Sequence, residues 1–180
     1  MISFTFNSRS RVQRRGGMIV ATIIASLLTS CMRERPTSIQ VTGGSPPVFL
    51  LSGSGKLSSF SIYLVPDRPE LMKQPFSEQS PIWGFKAQPD SLSGNLVEKL
   101  ERLSYGLVPA GYKQTVPSNG AAPRLETGKT YFFDCRTTGA PGLGGFFRVE
   151  EGKAVAVRVK VPCWIHQNGK WIAVPCTDAS

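Results

Sequence analysis

Apolar residues recur along this chain in short bursts, and most bursts alternate with polar residues rather than follow helical spacing. In LSSFSIYLV, residues 57–65, Phe60, Ile62 and Leu64 share one side of a two-residue period, which predicts a half-buried β-strand. AVAVRVKV, residues 154–161, alternates over its whole length and predicts another. VFLL at 48–51, IWGFKA at 82–87 and TYFFDCR at 130–136 are apolar runs of strand length. YKQTV at 112–116 alternates as an edge strand does. Turn residues stand between these bursts: Pro66-Asp67-Arg68-Pro69, Pro109-Ala110-Gly111, Thr127-Gly128-Lys129 and Glu151-Gly152. Asn168-Gly169, between Trp164-Ile165 and residues 171–174, is the strongest short-range hairpin signal. With a two-residue loop there, Cys163 faces Val174 and Cys176 faces Val161.

Two stretches depart from this pattern. Residues 66–81 hold four prolines and predict a long connection with one helical turn near 70–73. NLVEKLERL, residues 95–103, spaces Leu96, Leu100 and Leu103 as a short helix does, with Asn95 placed to cap it. The same leucines also suit a lead into a strand over 103–108. GAPGLGG, residues 139–145, predicts a loop before a strand over 146–150. The sum is about eight or nine short strands with turns every 8–12 residues, an all-β antiparallel β-sandwich. An immunoglobulin- or fibronectin-like arrangement is expected, and Trp83 suits the core tryptophan of such folds.

The first thirty-one residues follow another rule. Arg9, Arg11, Arg14 and Arg15 come first, with no acidic residue before Glu34. The apolar run MIVATIIASLL follows at 18–28, then Thr29, Ser30 and Cys31. That order is a basic region, a short apolar region and a small-residue cleavage site, as in a secretory signal peptide. A spanning helix needs about 20 mostly apolar residues. This run has 11, or 15 with residues 29–32 included, before Arg33-Glu34-Arg35 stops it. Length therefore disfavours an uncleaved anchor; a plain secretory signal cut elsewhere is the other alternative. Leu28-Thr29-Ser30-Cys31 resembles the lipobox of bacterial lipoproteins. The resemblance implies removal of residues 1–30 and a thioether-linked diacylglycerol on Cys31, often with an added N-acyl chain. Two or more chains anchor stably where one binds marginally. It also implies membrane lipid as the partner of Cys31. Met32 stands where Asp retains a lipoprotein in the inner membrane of enteric bacteria, so the expected address is the outer membrane, facing the periplasm. The expected organisation is a signal peptide at 1–30, a lipidated flexible tether at 31–46 and a single β-sandwich domain at 47–180.

The leader also changes how the charge reads. The chain carries 21 basic and 12 acidic residues, net +9. Four of the basic residues lie in the leader, which leaves 17 against 12, or +5. The remaining excess is scattered singly, without the basic stripe and interleaved aromatics of a nucleic-acid binder; no nucleic-acid partner is expected. A mildly cationic surface suits anionic lipid headgroups.

Beyond Cys31 the cysteines are Cys135, Cys163 and Cys176. A compartment outside the cytoplasm permits disulfides. Cys163 with Cys176 is the leading pair, although their diagonal offset needs a bulge at Pro175 or a longer loop to reach bonding geometry. A bridge from Cys135 to either, and no bridge, are the alternatives. There is no Cys-x-x-Cys, and His166 is the only histidine, so no metal is expected. The carboxylate pairs Glu98/Glu101 and Glu150/Glu151 read as solvated charge. The glycine-rich run at 139–145 lacks the Lys-Ser/Thr pair of a phosphate loop. No cofactor is expected apart from the covalent lipid. Phe146 and Phe147 are a candidate contact patch beside the glycine-rich loop; the plainer reading sends one ring into the core and the other over a neighbour. The expected function is a non-catalytic binding or structural role, with an envelope protein as partner. An envelope hydrolase or carbohydrate-active enzyme is the alternative, favoured if Asp134, Glu126 and His166 met in one cleft. A subunit of a secretion or surface assembly is a third.

Overall fold

The computed structural model describes residues 37–88 and 95–174. Eleven strands lie in this part of the chain: β1 Ser38–Thr42, β2 Val48–Ser52, β3 Lys56–Leu64, β4 Trp83–Ala87, β5 Arg102–Ser104, β6 Tyr112–Val116, β7 Thr130–Thr138, β8 Leu143–Glu150, β9 Lys153–Val157, β10 Cys163–Gln167 and β11 Lys170–Val174. One helical turn, α1, covers Val97–Leu100, and short 3-10 turns cover Pro69–Leu71 and Phe76–Glu78. Every strand pairing is antiparallel.

The strands form a six-stranded sheet in the order β6-β4-β3-β7-β8-β9, a three-stranded sheet β1-β2-β5, and the hairpin β10-β11. The three-stranded sheet packs across one face of the six-stranded sheet. Between them lies the main core, where Phe49 and Leu103 meet Phe60, Ile62, Trp83, Phe85, Phe133 and Phe147. Phe49 sits edge-on to Phe60, Phe133 and Phe147, with ring centroids 4.9, 5.5 and 5.6 Å away. Edge-to-face pairs of this kind add to the burial of the rings themselves. The all-β antiparallel sandwich expected from the sequence is thus the architecture present. Its strand order, three against six, is not the immunoglobulin one.

The outer face of the six-stranded sheet carries a second, smaller core. Tyr63, Val65 and Phe76 are buried there with Phe132 and Phe146 packed against them. Phe76 comes from the proline-rich connection after β3, which folds back so that its ring stacks on Phe132 at 4.4 Å. One consequence is that the outer face of β3 is covered at its end, where Tyr63 is buried, while Leu64 on the other face is 43% exposed. The expected single buried side of Phe60, Ile62 and Leu64 holds for the first two only.

Four local expectations need correction. Residues 38–42 are not tether: they pair with β2 from Ser38↔Ser52 to Thr42↔Val48. Ile39 and Val41 pack against the main core, so the folded chain begins before Pro47. The cause is the two-residue period of SIQVT, which polar neighbours conceal. Asn95 does not cap the helix. Leu96 holds that position without a side-chain bond, while the Asn95 side-chain amide donates to the Ala110 carbonyl at 3.1 Å. The glycine-rich loop is shorter than expected, since Gly144 and Gly145 are already in β8. The strand after Glu151-Gly152 stops at Val157 rather than Val161.

Glycine at those two β8 positions has a steric reason. A Cβ on Gly145 would lie 2.7 Å from the Phe133 ring, and one on Gly144 would lie 2.6 Å from the Phe132 ring. The register puts Phe133 opposite Gly145 and Phe132 opposite Phe146. The rings of β7 therefore lean over a bare stretch of β8, filling space that side chains would otherwise occupy.

Candidate functional site

One concavity lies at one end of the sandwich, between the β1–β2 turn, the loop after β5 and residues 121–127. It is a cleft of about 350 Å³. Pro46 and Pro47 form one wall, Tyr105 and Gly106 the second, and Ala122, Pro123 and Arg124 the third.

Three side chains fix the third wall. The buried Tyr105 hydroxyl donates to the Pro123 carbonyl at 2.6 Å. The Glu126 amide donates to the Tyr131 hydroxyl at 2.8 Å. The Gln114 side-chain amide donates to the Pro117 and Gly120 carbonyls at 2.8 and 3.0 Å. Gln114 is in turn reached by the indole N–H of the buried Trp83 at 3.4 Å. A segment with little regular structure is thereby held to the sheet through its backbone, so the cleft is preformed rather than assembled on binding. Burial pushes the Tyr105 phenol up to about 12. Burial likewise raises Tyr112 and Tyr131.

The chemistry of the lining is narrow. Its residues are prolines, glycines, alanines, Leu125 and Val149, with the hydroxyl-bearing Ser45, Tyr105 and Thr127 and the cationic Arg124. No Asp, Glu, His, Cys or Lys side chain lines it. Arg124 is the one charged residue among the lining residues.

A second groove, about 340 Å³, lies between the end of β3, residues 66–70 and residues 158–160. Lys129, Arg148, Arg158 and Lys160 line it, against Asp67 and Glu70. Lys129 pairs with Asp67 at 3.2 Å, and Arg148 donates to the Thr130 hydroxyl at 3.1 Å. The Lys129–Asp67 pair is exposed, where ion pairs contribute little to stability. The groove is consequently better read as a cationic surface than as a stabilising network.

The residues singled out from sequence are dispersed. Cys31 and Cys176 lie outside the described residues. Cys163 is exposed at the start of β10 and is not a free thiol. Cys135 is free and buried, and burial pushes its thiol up to about 12, which removes the alternative of a bridge from Cys135. The two-residue loop at Asn168-Gly169 sets Cys163 opposite Val174, as expected.

Phe146 and Phe147 do not form a shared contact patch. Phe147 is fully buried in the main core, while Phe146 packs into the second core beside Phe76 and Phe132. Adjacent strand residues point to opposite faces; Phe147 is fully buried and Phe146 half-buried. Asp134 pairs with Arg136 at 2.9 Å on the outer face of β7. His166 lies on the hairpin, its ring 5.0 Å from Trp171. Glu126 is held by its backbone amide, which donates to the Tyr131 hydroxyl at 2.8 Å. Among the described residues no three His, Cys, Asp or Glu side chains converge as metal ligands would. Also among the described residues, no helix is long and apolar enough to cross a membrane.

Sequence reasoning missed the cleft because its walls are loops brought together from four places in the chain. The local signals were present only as turn residues, Gly44 to Pro47 and Pro117 to Pro123, whose meeting depends on the sheets between them. No protein-family model matches the chain, and no curated protein or solved structure matches it either.

Proposed function

We propose that this chain is a membrane-anchored envelope lipoprotein whose β-sandwich has a binding or structural role rather than a catalytic one. The observation that carries the reading is the order of the leader: four arginines, an 11-residue apolar run, then Leu28-Thr29-Ser30-Cys31. Lipid on Cys31 would hold the sandwich close to the bilayer, because only residues 32–36 separate it from Thr37. The address is the outer membrane, facing the periplasm, and a Cys163–Cys176 bridge tying down the last strand belongs to the same picture. The preformed cleft beside Tyr105 and Arg124 is the binding surface for an envelope protein segment. Its one charged residue, Arg124, suits a segment that presents a carbonyl or carboxylate.

The test is Cys31→Ala in the full chain. Loss of metabolic labelling with fatty acid, together with arrested leader cleavage or release from the detergent phase, is the expected result. Unchanged labelling and processing would remove the lipoprotein reading.

A further inference from the structure

The β10–β11 hairpin is unlike the rest of the molecule. Among the described residues its strands pair only with each other, and no residue of either strand is buried. Yet its composition is that of a core strand. Ile165 and Ile172 face each other across one side, 46% and 42% exposed. Trp164, His166 and Trp171 occupy the other side, with Trp171 37% exposed. A lone two-stranded hairpin is marginal in water, and leaving apolar side chains on both of its faces makes it more so.

Charge indicates what covers it. From Gly152 to Val174 the chain holds Lys153, Arg158, Lys160 and Lys170 and no Asp or Glu. Arg158 and Lys160 line the cationic groove described above, and Lys160 stands three residues before the first hairpin strand. Tryptophan with flanking cations is the composition that settles at a membrane–water interface. Indoles take the headgroup level, and each Lys or Arg adds attraction to anionic lipid. A protein groove would cover one face of the hairpin. The headgroup zone, entered to a depth of about 5–10 Å, wets both.

We propose that this hairpin, with Arg158 and Lys160 behind it, docks on the surface of an anionic lipid bilayer. The inference deepens the anchored reading and rests on it for the nearness of the membrane. Six residue steps from Cys31 to Thr37 reach about 20 Å at most, so an anchored domain stays against the bilayer. The hairpin then sets which side of the sandwich faces lipid.

The experiment uses the full chain with vesicles of phosphatidylglycerol and phosphatidylcholine, plain or with brominated acyl chains. Flotation and tryptophan emission are both read. Trp83 is fully buried and serves as the internal unquenched signal. Brominated lipid should quench the wild-type emission, and Trp164→Phe with Trp171→Phe should abolish that quenching while flotation persists. Ile165→Asp with Ile172→Asp, at exposed positions that leave both cores intact, should also abolish it. A wild-type protein that floats without quenching, or quenching that survives the aspartates, would overturn the docking. Absence of flotation would overturn the docking and the anchor together. If Cys31→Ala floats as well as the wild type and quenching persists, the anchor fails and the hairpin stands. Vesicles of phosphatidylcholine alone should quench less, and equal quenching there would refute the role of the cations.

Discussion

Tyr112 ties three parts of the fold together through one hydroxyl. It sits on β6, 5% exposed, and donates to the Leu57 carbonyl of β3 at 2.9 Å. It also accepts from the Asn95 amide at 2.9 Å, while the Leu57 amide donates to the Asn95 carbonyl at 3.0 Å. Leu57 is where the pairing of β3 with β7 slips register, so the side chain supplies a bond at an irregular point of the ladder. Tyr112→Phe keeps the ring, which packs edge-on against Phe85 at 5.2 Å, and removes only the oxygen. The bond to Leu57 is buried, so that carbonyl loses a partner water cannot replace, at a cost of about 1–3 kcal/mol. The Asn95 amide is only partly buried and recovers most of its bond from water, adding about 0.5 kcal/mol. The expected loss is about 1.5–3.5 kcal/mol, a large share of a domain's typical 5–15 kcal/mol. Urea unfolding of wild type and variant, read by far-UV circular dichroism at equal slope, measures it directly. A loss under about 0.5 kcal/mol, the size of an ordinary surface change, would show that the hydroxyl is not the tie described.

Two further predictions concern β7 and its neighbours. Gly145→Ala should destabilise by about 1–3 kcal/mol, and by more than Gly144→Ala, because the Phe133 ring that must yield is buried whereas Phe132 is half-buried; denaturant midpoints in the opposite order would contradict the leaning-ring account. Iodoacetamide at pH 8 should leave Cys135 unmodified in the native protein and modify it after denaturation without reductant, since the buried thiol is held protonated at that pH. In the same mapping Cys163 should stay unmodified until reductant is added, linked to Cys176 under the proposed pairing, and full labelling of Cys135 in the native state would refute its burial.

Strand identity came through the sequence wherever alternation was local. The hairpin at Asn168-Gly169 is the clearest case, because turn type and loop length together fix register, and Cys163 does face Val174. The strand at 38–42 was hidden because Ile39 and Val41 are only two apolar residues among polar ones, and their burial depends on β2 alongside and the core beneath. Phe146 and Phe147 show the same limit. The sequence places them on opposite faces of one strand, but only the second core, made by the fold-back of Phe76, decides that Phe146 packs against other rings.

What the chain determined by itself is what depends on neighbours in sequence: the leader's order of charge and apolarity, the two-residue period of the strands, the turn residues between them and the strongly basic balance after Glu151. What the tertiary structure alone decided is what depends on residues far apart meeting. The three-against-six sheet order, the second core, the leaning of the Phe132 and Phe133 rings over glycine and the cleft pinned by Tyr105 and Tyr131 are of that kind. Period and turn chemistry act within a few residues, whereas sheet order and cleft shape come from side chains competing for one buried volume.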